Sequence, residues 1–247
     1  MTSSGEMTFW DHLEELRTSI FRMCAVYAAS VFVLFFFKNF IFTDVILAPS
    51  RSDFLLYQLL GTQFSMNLVN IEVTAQFMIH IKVTLIAALI LSFPYLIYEV
   101  WRFIAPALYD RERKTVRGAF LFASVLFYLG VMVGYTIVFP LMLNFFSGYQ
   151  ISPEIPNTFS LTSYMSLFTS MVLVFGLVFE FPTLMAVLSS FGMVSKNLLR
   201  KYRRHAICAV LILAAFITPT GDPFSLIVVS IPIYILYEFS ILICKKG

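Results

Sequence analysis

Charged side chains are scarce in this chain. They make up 13% of its 247 residues, whereas a soluble globular domain carries about 25%. Hydrophobic residues account for 60%, and the mean hydropathy is +0.87. So few charges exclude an ordinary soluble domain of this size, and we predict an integral membrane protein. The net charge of +3 gives no indication of nucleic acid as a partner.

Cysteine and catalytic motifs are also scarce. Cys24, Cys208 and Cys244 lie in apolar stretches without a Cys-x-x-Cys pair, which argues against a disulfide framework. The sequence contains no phosphate-binding glycine loop, no zinc-binding His-Glu-x-x-His pattern and no nucleophile elbow. The three histidines are dispersed and have no metal-ligand neighbour at helical spacing. We therefore expect neither an enzyme nor a protein with a bound metal or cofactor.

Long apolar runs are abundant instead. We predict an all-α membrane protein of one domain, with six transmembrane helices over residues 20–38, 74–98, 118–139, 166–188, 206–218 and 224–243. A helix needs about 20 residues to cross a bilayer. The fifth run ends at Ile217 after roughly 13 residues, and the sixth meets Glu238 after roughly 14, so both are expected to be short spans. Pro94 is expected to interrupt the second span.

The polar segments predict the topology. Residues 1–19 carry apolar side chains at helical spacing and predict a short amphipathic helix on the membrane surface. Residues 39–73 have mixed polarity and predict an ordered loop with some short helix. Lys and Arg cluster in residues 102–117 and 196–204, whereas residues 141–165 and 218–223 contain none. Because basic residues stay on the cytoplasmic side, both termini are expected in the cytoplasm.

One acid lies deep inside a predicted span. Glu180 is about eight residues from the cytoplasmic end of the fourth span, where a carboxylate costs about 2.5–3.5 kcal/mol on insertion scales. It is therefore expected to face a concave polar patch that docks a partner helix, or else to accept an internal hydrogen bond. A small-solute or ion transporter would also use such an acid, although no inverted repeat is evident. A scaffold without a ligand is the third alternative.

Several sequence blocks resemble the TatC family. They are His12–Arg17 (HLEELR), Phe93–Tyr109 with Glu112–Lys114, Phe175-Gly176 with Phe179–Pro182, Ile217–Pro219 with Asp222, and Pro232 with Leu236–Glu238. The resemblance covers nearly the whole chain, in order. The family is the six-span receptor core of the twin-arginine translocase, which exports folded proteins with the proton-motive force. The resemblance implies a multi-pass protein of the cytoplasmic (inner) membrane of a bacterium.

The resemblance also implies partners and sites. The expected partners are Arg-Arg signal peptides of folded cargo, TatA/TatB-type single-span proteins, the lipid bilayer and further copies of the chain. Signal-peptide binding falls on Glu15, Arg17 and Glu112. The intramembrane polar position for partner docking falls on Glu180, with Glu99 as a second candidate where the family often has Gln. The positions with a structural role are Pro49, Pro94, Phe103, Pro106, Tyr109 and Asp222.

Physical chemistry agrees with the two acids assigned to the signal peptide. A guanidinium group pairs bidentately with a carboxylate, and a lysine cannot reproduce that geometry. Glu15 and Glu112 lie on separate elements, so each can take one arginine. Exposed pairs contribute at most about 1 kcal/mol each, which suits reversible capture.

Overall fold

The computed structural model describes residues 9–61, 66–104, 110–152, 154–155, 157–218 and 221–245, and of residues 9, 11, 60 and 110–117 it describes the backbone alone. Within this part of the chain the α-helices are α1 (Phe9–Phe36), α2 (Leu55–Leu60), α3 (Ala75–Ile104), α4 (Asp110–Val133), α5 (Phe139–Gly148), α6 (Leu161–Val178), α7 (Phe181–Ser190), α8 (Lys196–Lys201), α9 (Arg203–Ile217) and α10 (Pro223–Ile243). Two short strands, β1 (Leu68–Val69) and β2 (Phe159–Ser160), pair in parallel.

The described residues contain five helical segments long and apolar enough to cross a membrane: His12–Phe36, Ala75–Ile104, Gly118–Gly148, Leu161–Ser190 and Pro223–Ile243. The prediction of an all-α, multi-span membrane protein is therefore confirmed. A π-helical stretch, Gly134–Val138, joins α4 to α5 within the third segment. Helix α9 has 15 residues and a length of about 22 Å, which is shorter than the roughly 30 Å hydrocarbon core.

Helix α10 differs from the prediction of a short sixth span. It runs unbroken for 21 residues and passes through Glu238. The Glu238 carboxylate is satisfied within the protein, because Arg203 of α9 forms a salt bridge with it and the Tyr234 hydroxyl donates a hydrogen bond to it. The acid therefore does not end the helix, and the short length predicted for this span is wrong.

Helix α1 also differs from its prediction. It continues from Phe9 to Phe36 without a break, so residues 9–19 do not form a separate helix. This stretch contains neither Gly nor Pro, and nothing in its backbone interrupts the helix. Its neighbour α3 likewise continues beyond the predicted end of the second span, to Ile104, and the two helices pack along each other.

Helix α3 passes through Pro94 without interruption, contrary to the sequence-based expectation. Proline has no backbone N–H, so the carbonyl of Ile90, four residues earlier, loses its helical donor. The hydroxyl of Tyr128, on α4, donates to this carbonyl at 3.1 Å. A neighbouring helix thus satisfies the freed backbone group, as spanning helices require, and this bond ties α3 to α4.

The core is centred on α6, which packs against α3, α4 and α9. Three glycines allow α4 and α6 to approach closely. A Cβ atom added to Gly130 would overlap the carbonyl oxygen of Phe175, and one added to Gly134 would lie 2.8 Å from that of Met171. On α6, a Cβ atom at Gly176 would meet the ring of Phe127 at 2.8 Å. Small residues at such crossings let helix backbones pack in contact.

Tyrosine hydroxyls hold the segment between α1 and α2, which is ordered and contains short helices as predicted. Tyr57 donates to the carbonyl of Pro49 at 2.9 Å, Tyr135 to that of Val45 at 2.7 Å, and Tyr164 to that of Ile46 at 2.6 Å. Pro49 is buried in a single 3₁₀ turn. Burial raises the pKa of Tyr57 above its ordinary value, so this hydroxyl stays a donor at any physiological pH.

The α4–α6 crossing generates a prediction. Gly130→Ala places a methyl group against the Phe175 backbone, and overpacking of this kind costs about 1–3 kcal/mol. We expect a lower thermal unfolding temperature in detergent. Gly118→Ala is the matched control, because its added Cβ atom meets nothing within 4 Å and alanine favours the helix. Equal unfolding temperatures for the two variants would contradict the close approach.

Candidate functional site

The ends of α1 and α3 that face the predicted cytoplasmic side are joined at two points. The imidazole of His12 stacks on the ring of Phe103, with centroids 4.4 Å apart. Further along, Arg22 of α1 forms a bidentate pair with Glu99 of α3. Glu15 lies on α1 between these contacts, three residues after His12 and seven before Arg22. Those spacings place all three side chains of α1 on one face of the helix.

Glu15 has an unsatisfied carboxylate oxygen. Its Oε2 atom is buried and finds no hydrogen-bond partner among the described residues. The adjacent Glu14 is different: it is exposed and forms an ion pair with Arg17 at 3.8 Å. A buried acceptor without a partner costs about 1–3 kcal/mol, and more when it is charged. Glu15 therefore has capacity for a donor that this part of the structure does not supply.

Part of the predicted site lies beyond the described atoms. Glu112 is in the first turn of α4, which begins at Asp110, six residues after α3 ends at Ile104. Its side chain lies outside the described ones, and Pro106 and Tyr109 lie outside the described residues. The roles predicted for these three residues stay predictions.

Glu99 is held entirely within the protein. Its side chain is 1% exposed. Arg22 Nε donates to Oε1 at 3.1 Å and Arg22 Nη2 donates to Oε2 at 3.0 Å, while the Tyr95 hydroxyl donates to Oε1 at 2.8 Å. Arg22 Nη2 also donates to Ser19 Oγ at 3.0 Å. Both oxygens of Glu99 are thus occupied by internal donors, and docking of a partner at Glu99 stays a prediction.

Sequence reasoning missed Arg22. A signal was present, because Arg22 lies in an apolar helix with no acid three or four residues away. An unpaired guanidinium is costly at that depth, so a partner on another span could have been expected. The partner is 77 residues away in sequence, and no local pattern identifies it.

Glu180 lies at a break between two helices. Helix α6 ends at Val178, and α7 begins at Phe181 with Pro182 in its first turn. The Oε1 atom of Glu180 and the Oγ1 atom of Thr183 are buried, and neither makes a hydrogen bond of good geometry among the described residues, although the Thr183 side chain interacts with the Glu180 carboxylate. A proline here removes one helical donor, which allows the chain to bend and turn Glu180 toward α9.

Glu180 faces a cavity of about 580 Å³ between α7, α9 and α10. Tyr202 and His205 lie at one end, and the rest of the lining is mainly apolar, including Leu184, Val210 and Ile233. Glu180 thus faces a concave surface, but this surface is apolar around one acid and is not the polar patch expected from the sequence. An apolar groove containing one buried acceptor fits a membrane helix with a single polar side chain.

Asp222 has a structural role at the start of α10. It is the N-cap of α10, and its Oδ1 atom accepts a hydrogen bond from the Ser225 backbone N–H at 2.8 Å. Such a cap satisfies an amide that would otherwise lack a partner at the helix end. The cap fixes where α10 begins after the polar turn that follows α9.

Comparison with known proteins identifies the family. The profile of the family described as "Sec-independent protein translocase protein (TatC)" matches residues 11–232. The chain belongs to the TatC family. It is therefore a multi-pass membrane subunit of a protein translocase, and a transport protein rather than an enzyme.

Curated TatC proteins resemble the chain along most of its length. The protein from Blattabacterium sp. subsp. Periplaneta americana is 41% identical, over 97% of this chain and 95% of its own length. The proteins from Koribacter versatilis and Haemophilus influenzae are 36% and 34% identical, each over 95% of this chain and over 84% and 87% of their own lengths. Each is called "Sec-independent protein translocase protein TatC".

Two solved structures share the fold. One is described as the crystal structure of "Twin Arginine Translocase Receptor- TatC", with a TM-score of 0.76, 29% identity, and coverage of 94% of this chain and 97% of that one. The other is the same receptor in DDM, with a TM-score of 0.78, 29% identity, and coverage of 95% and 99%. The TatC fold of this chain follows, and the alternative of a small-solute transporter loses its support.

The joined ends of α1 and α3 generate a prediction. Phe103→Ala removes the ring on which His12 stacks, and such a contact contributes about 0.5–1.5 kcal/mol. We expect faster amide hydrogen exchange in the first two turns of α1, because the helix end loses its contact with α3. Phe103→Tyr preserves the stack and serves as the control. Unchanged exchange in Phe103→Ala would show that His12 does not anchor this end.

Proposed function

We propose that this TatC-family chain is the receptor core of a twin-arginine translocase. It captures the Arg-Arg signal peptides of folded precursors at its cytoplasmic face and assembles with TatA- and TatB-type proteins for export driven by the proton-motive force. The supporting observation is the unsatisfied Glu15 carboxylate, held between two α1–α3 contacts. A guanidinium group is the donor that completes such an acid with the best geometry.

Six spans and a cytoplasmic position for both termini belong to this proposal. Helix α9 is the fifth of the six spans: it packs against α10, which begins six residues after α9 ends. It is too short to cross a bilayer of ordinary thickness, so the bilayer thins there or the turn lies recessed. The basic segments, residues 102–117 and 196–204, lie on the cytoplasmic side. The membrane is the cytoplasmic (inner) membrane of a bacterium.

Glu15 and Glu112 act together in this proposal. Helix α3 packs against both α1 and α4, and Glu112 follows the end of α3 by eight residues. The two acids therefore belong to elements that meet at the same end of the bundle, as capture of two adjacent arginines requires. Arg17, which is exposed and paired with Glu14, is the third residue assigned to signal-peptide binding.

Glu180 docks a partner helix in this proposal. The groove between α7, α9 and α10 presents apolar side chains around one buried carboxylate oxygen. A single transmembrane helix of the TatA/TatB type with one polar side chain matches both features. Several copies of the receptor are expected to assemble in the complex, as the family resemblance implies.

The signal-peptide site can be tested with charge-neutralising variants. Glu15→Gln and Glu112→Gln should each weaken binding of a labelled Arg-Arg signal peptide about tenfold, which corresponds to the loss of one charge-assisted hydrogen bond. Glu14→Gln is the matched control, because it changes the charge equally one residue away on an exposed side chain. Binding is measured by fluorescence anisotropy with the full chain in nanodiscs, and a Lys-Lys peptide is titrated in parallel.

The comparison with Glu14→Gln decides the assignment. Equal affinity of wild type for the Arg-Arg and Lys-Lys peptides would refute the receptor function. If Glu14→Gln weakens binding as much as Glu15→Gln, the effect comes from general charge, and the specific role of Glu15 is refuted.

The role of Glu180 has its own test. Gln keeps the hydrogen-bonding capacity of Glu180 but cannot titrate, whereas Leu removes that capacity. Docking predicts that Glu180→Gln keeps most export of a folded reporter, while Glu180→Leu loses both export and crosslinks to the partner helix. Export and crosslinking are measured in the same membranes. Equal failure of both variants with crosslinks intact would indicate proton transfer and contradict docking.

A further inference from the structure

Arg22 lies between two acids that face it from different directions. Glu99 of α3 accepts two hydrogen bonds from the Arg22 guanidinium, at 3.1 and 3.0 Å. Glu15, on the same helix as Arg22, attracts the same guanidinium more weakly. Only Glu99 is saturated: its two oxygens have three donors, whereas Glu15 keeps a buried oxygen without a partner among the described residues.

The head group of Arg22 already points toward Glu15. Side chains in a helix lean toward its N-terminus, and Arg22 Nη2 reaches back to bond Ser19 Oγ at 3.0 Å. Glu15 lies one turn beyond Ser19 on the same face, a further rise of about 6 Å. If Glu99 releases the guanidinium, a change of the Arg22 rotamer and a matching movement of the Glu15 side chain are therefore enough for Arg22 and Glu15 to pair.

A released Arg22 would have good reason to pair with Glu15. It lies in a spanning helix, where an unpaired cation is costly. A guanidinium donates to a carboxylate bidentately, and Glu15 offers the nearest acceptor of that kind on α1. Arg22 is, chemically, the same group as the signal-peptide arginine that Glu15 is proposed to bind.

We infer that Glu99 holds Arg22 away from Glu15 and so keeps Glu15 open for the arginine of a signal peptide. Glu99 is then a positioning residue, acting through Arg22 on a site it does not touch. This inference rests on the proposed function, because it concerns access to the same carboxylate. It also gives Glu99 a reason to be ionised: Arg22 needs a full negative charge to remain in place.

The test uses two variants and one Arg-Arg signal peptide. In the Glu99→Gln variant, Arg22 loses its counter-charge and competes for Glu15, so peptide affinity should fall about tenfold, as for Glu15→Gln. The Arg22→Gln/Glu99→Gln double variant removes the competing guanidinium and should restore peptide affinity to within about twofold of wild type. That difference is well below the roughly tenfold change in affinity expected for the loss of one hydrogen bond. Affinity is measured by anisotropy with the full chain in nanodiscs, and folding by thermal unfolding.

The double variant shows whether the loss of affinity depends on Arg22. Restored affinity supports the inference, and affinity as low as in Glu99→Gln overturns it, because no Arg22 remains to occupy Glu15. Should Glu99→Gln fail to fold, reduced affinity of the folded double variant overturns the inference. A clamp between α1 and α3 makes a different prediction: its loss would lower affinity in a Glu15→Gln background as well.

A second arm tests the route through Glu15. In a Glu15→Gln background there is no carboxylate for Arg22 to occupy, so adding Glu99→Gln should cause no further loss of affinity. An additional loss of about tenfold would show that Glu99 acts independently of Glu15 and would overturn the inference. If wild type does not prefer the Arg-Arg over the Lys-Lys peptide, the receptor function itself fails. If wild type shows the preference and Glu99→Gln binds normally, only this inference fails.

Discussion

A polar group inside a bilayer must find its partner within the protein, and this constraint determines how the helices of this chain are joined. Arg22 on α1 donates two hydrogen bonds to Glu99 on α3, and the pair offsets the free-energy cost of removing the two charges from water. The Ile90 carbonyl, freed by Pro94, takes its donor from Tyr128 on α4. Each contact fixes the register between two helices that apolar packing alone would leave free to slide, since lipid is as apolar as their surfaces.

The spans were predictable because about 20 apolar residues in sequence leave few alternatives. The errors share one physical origin. Pro94 was expected to interrupt a helix, Glu238 to mark a short span, and the polar residues before Ile20 to form a separate helix, because each is unfavourable in an isolated span. In the folded chain a neighbouring element compensates for each of these features. Tyr128 donates to the carbonyl freed by Pro94, Arg203 pairs with Glu238, and α3 packs against the start of α1. Tertiary partners override local preference.

The candidate site was less predictable than the fold. Glu15 and Glu180 stood out only through the family resemblance, since an acid beside a span is usually a solvated charge or an internal acceptor. The pairing of Arg22 with Glu99 could not be predicted, because it depends on the register between α1 and α3 across 77 residues. The groove around Glu180 depends on the break after α6 and the placement of α9, and neither follows from periodicity.

Hydrogen bonding divides five of the described acids into two groups. Glu99 and Glu238 have partners on neighbouring elements, and Glu14 pairs with Arg17. Glu15 and Glu180 each keep a buried oxygen that no described residue satisfies. An unsatisfied atom alone does not mark a site, because His80 and Thr84 also have one, but a carboxylate attracts a specific donor far more strongly. The missing bond lowers the stability of the empty protein by about 1–3 kcal/mol. A ligand that supplies the donor recovers this free energy on binding, so a cost to folding becomes affinity for an arginine or a partner helix.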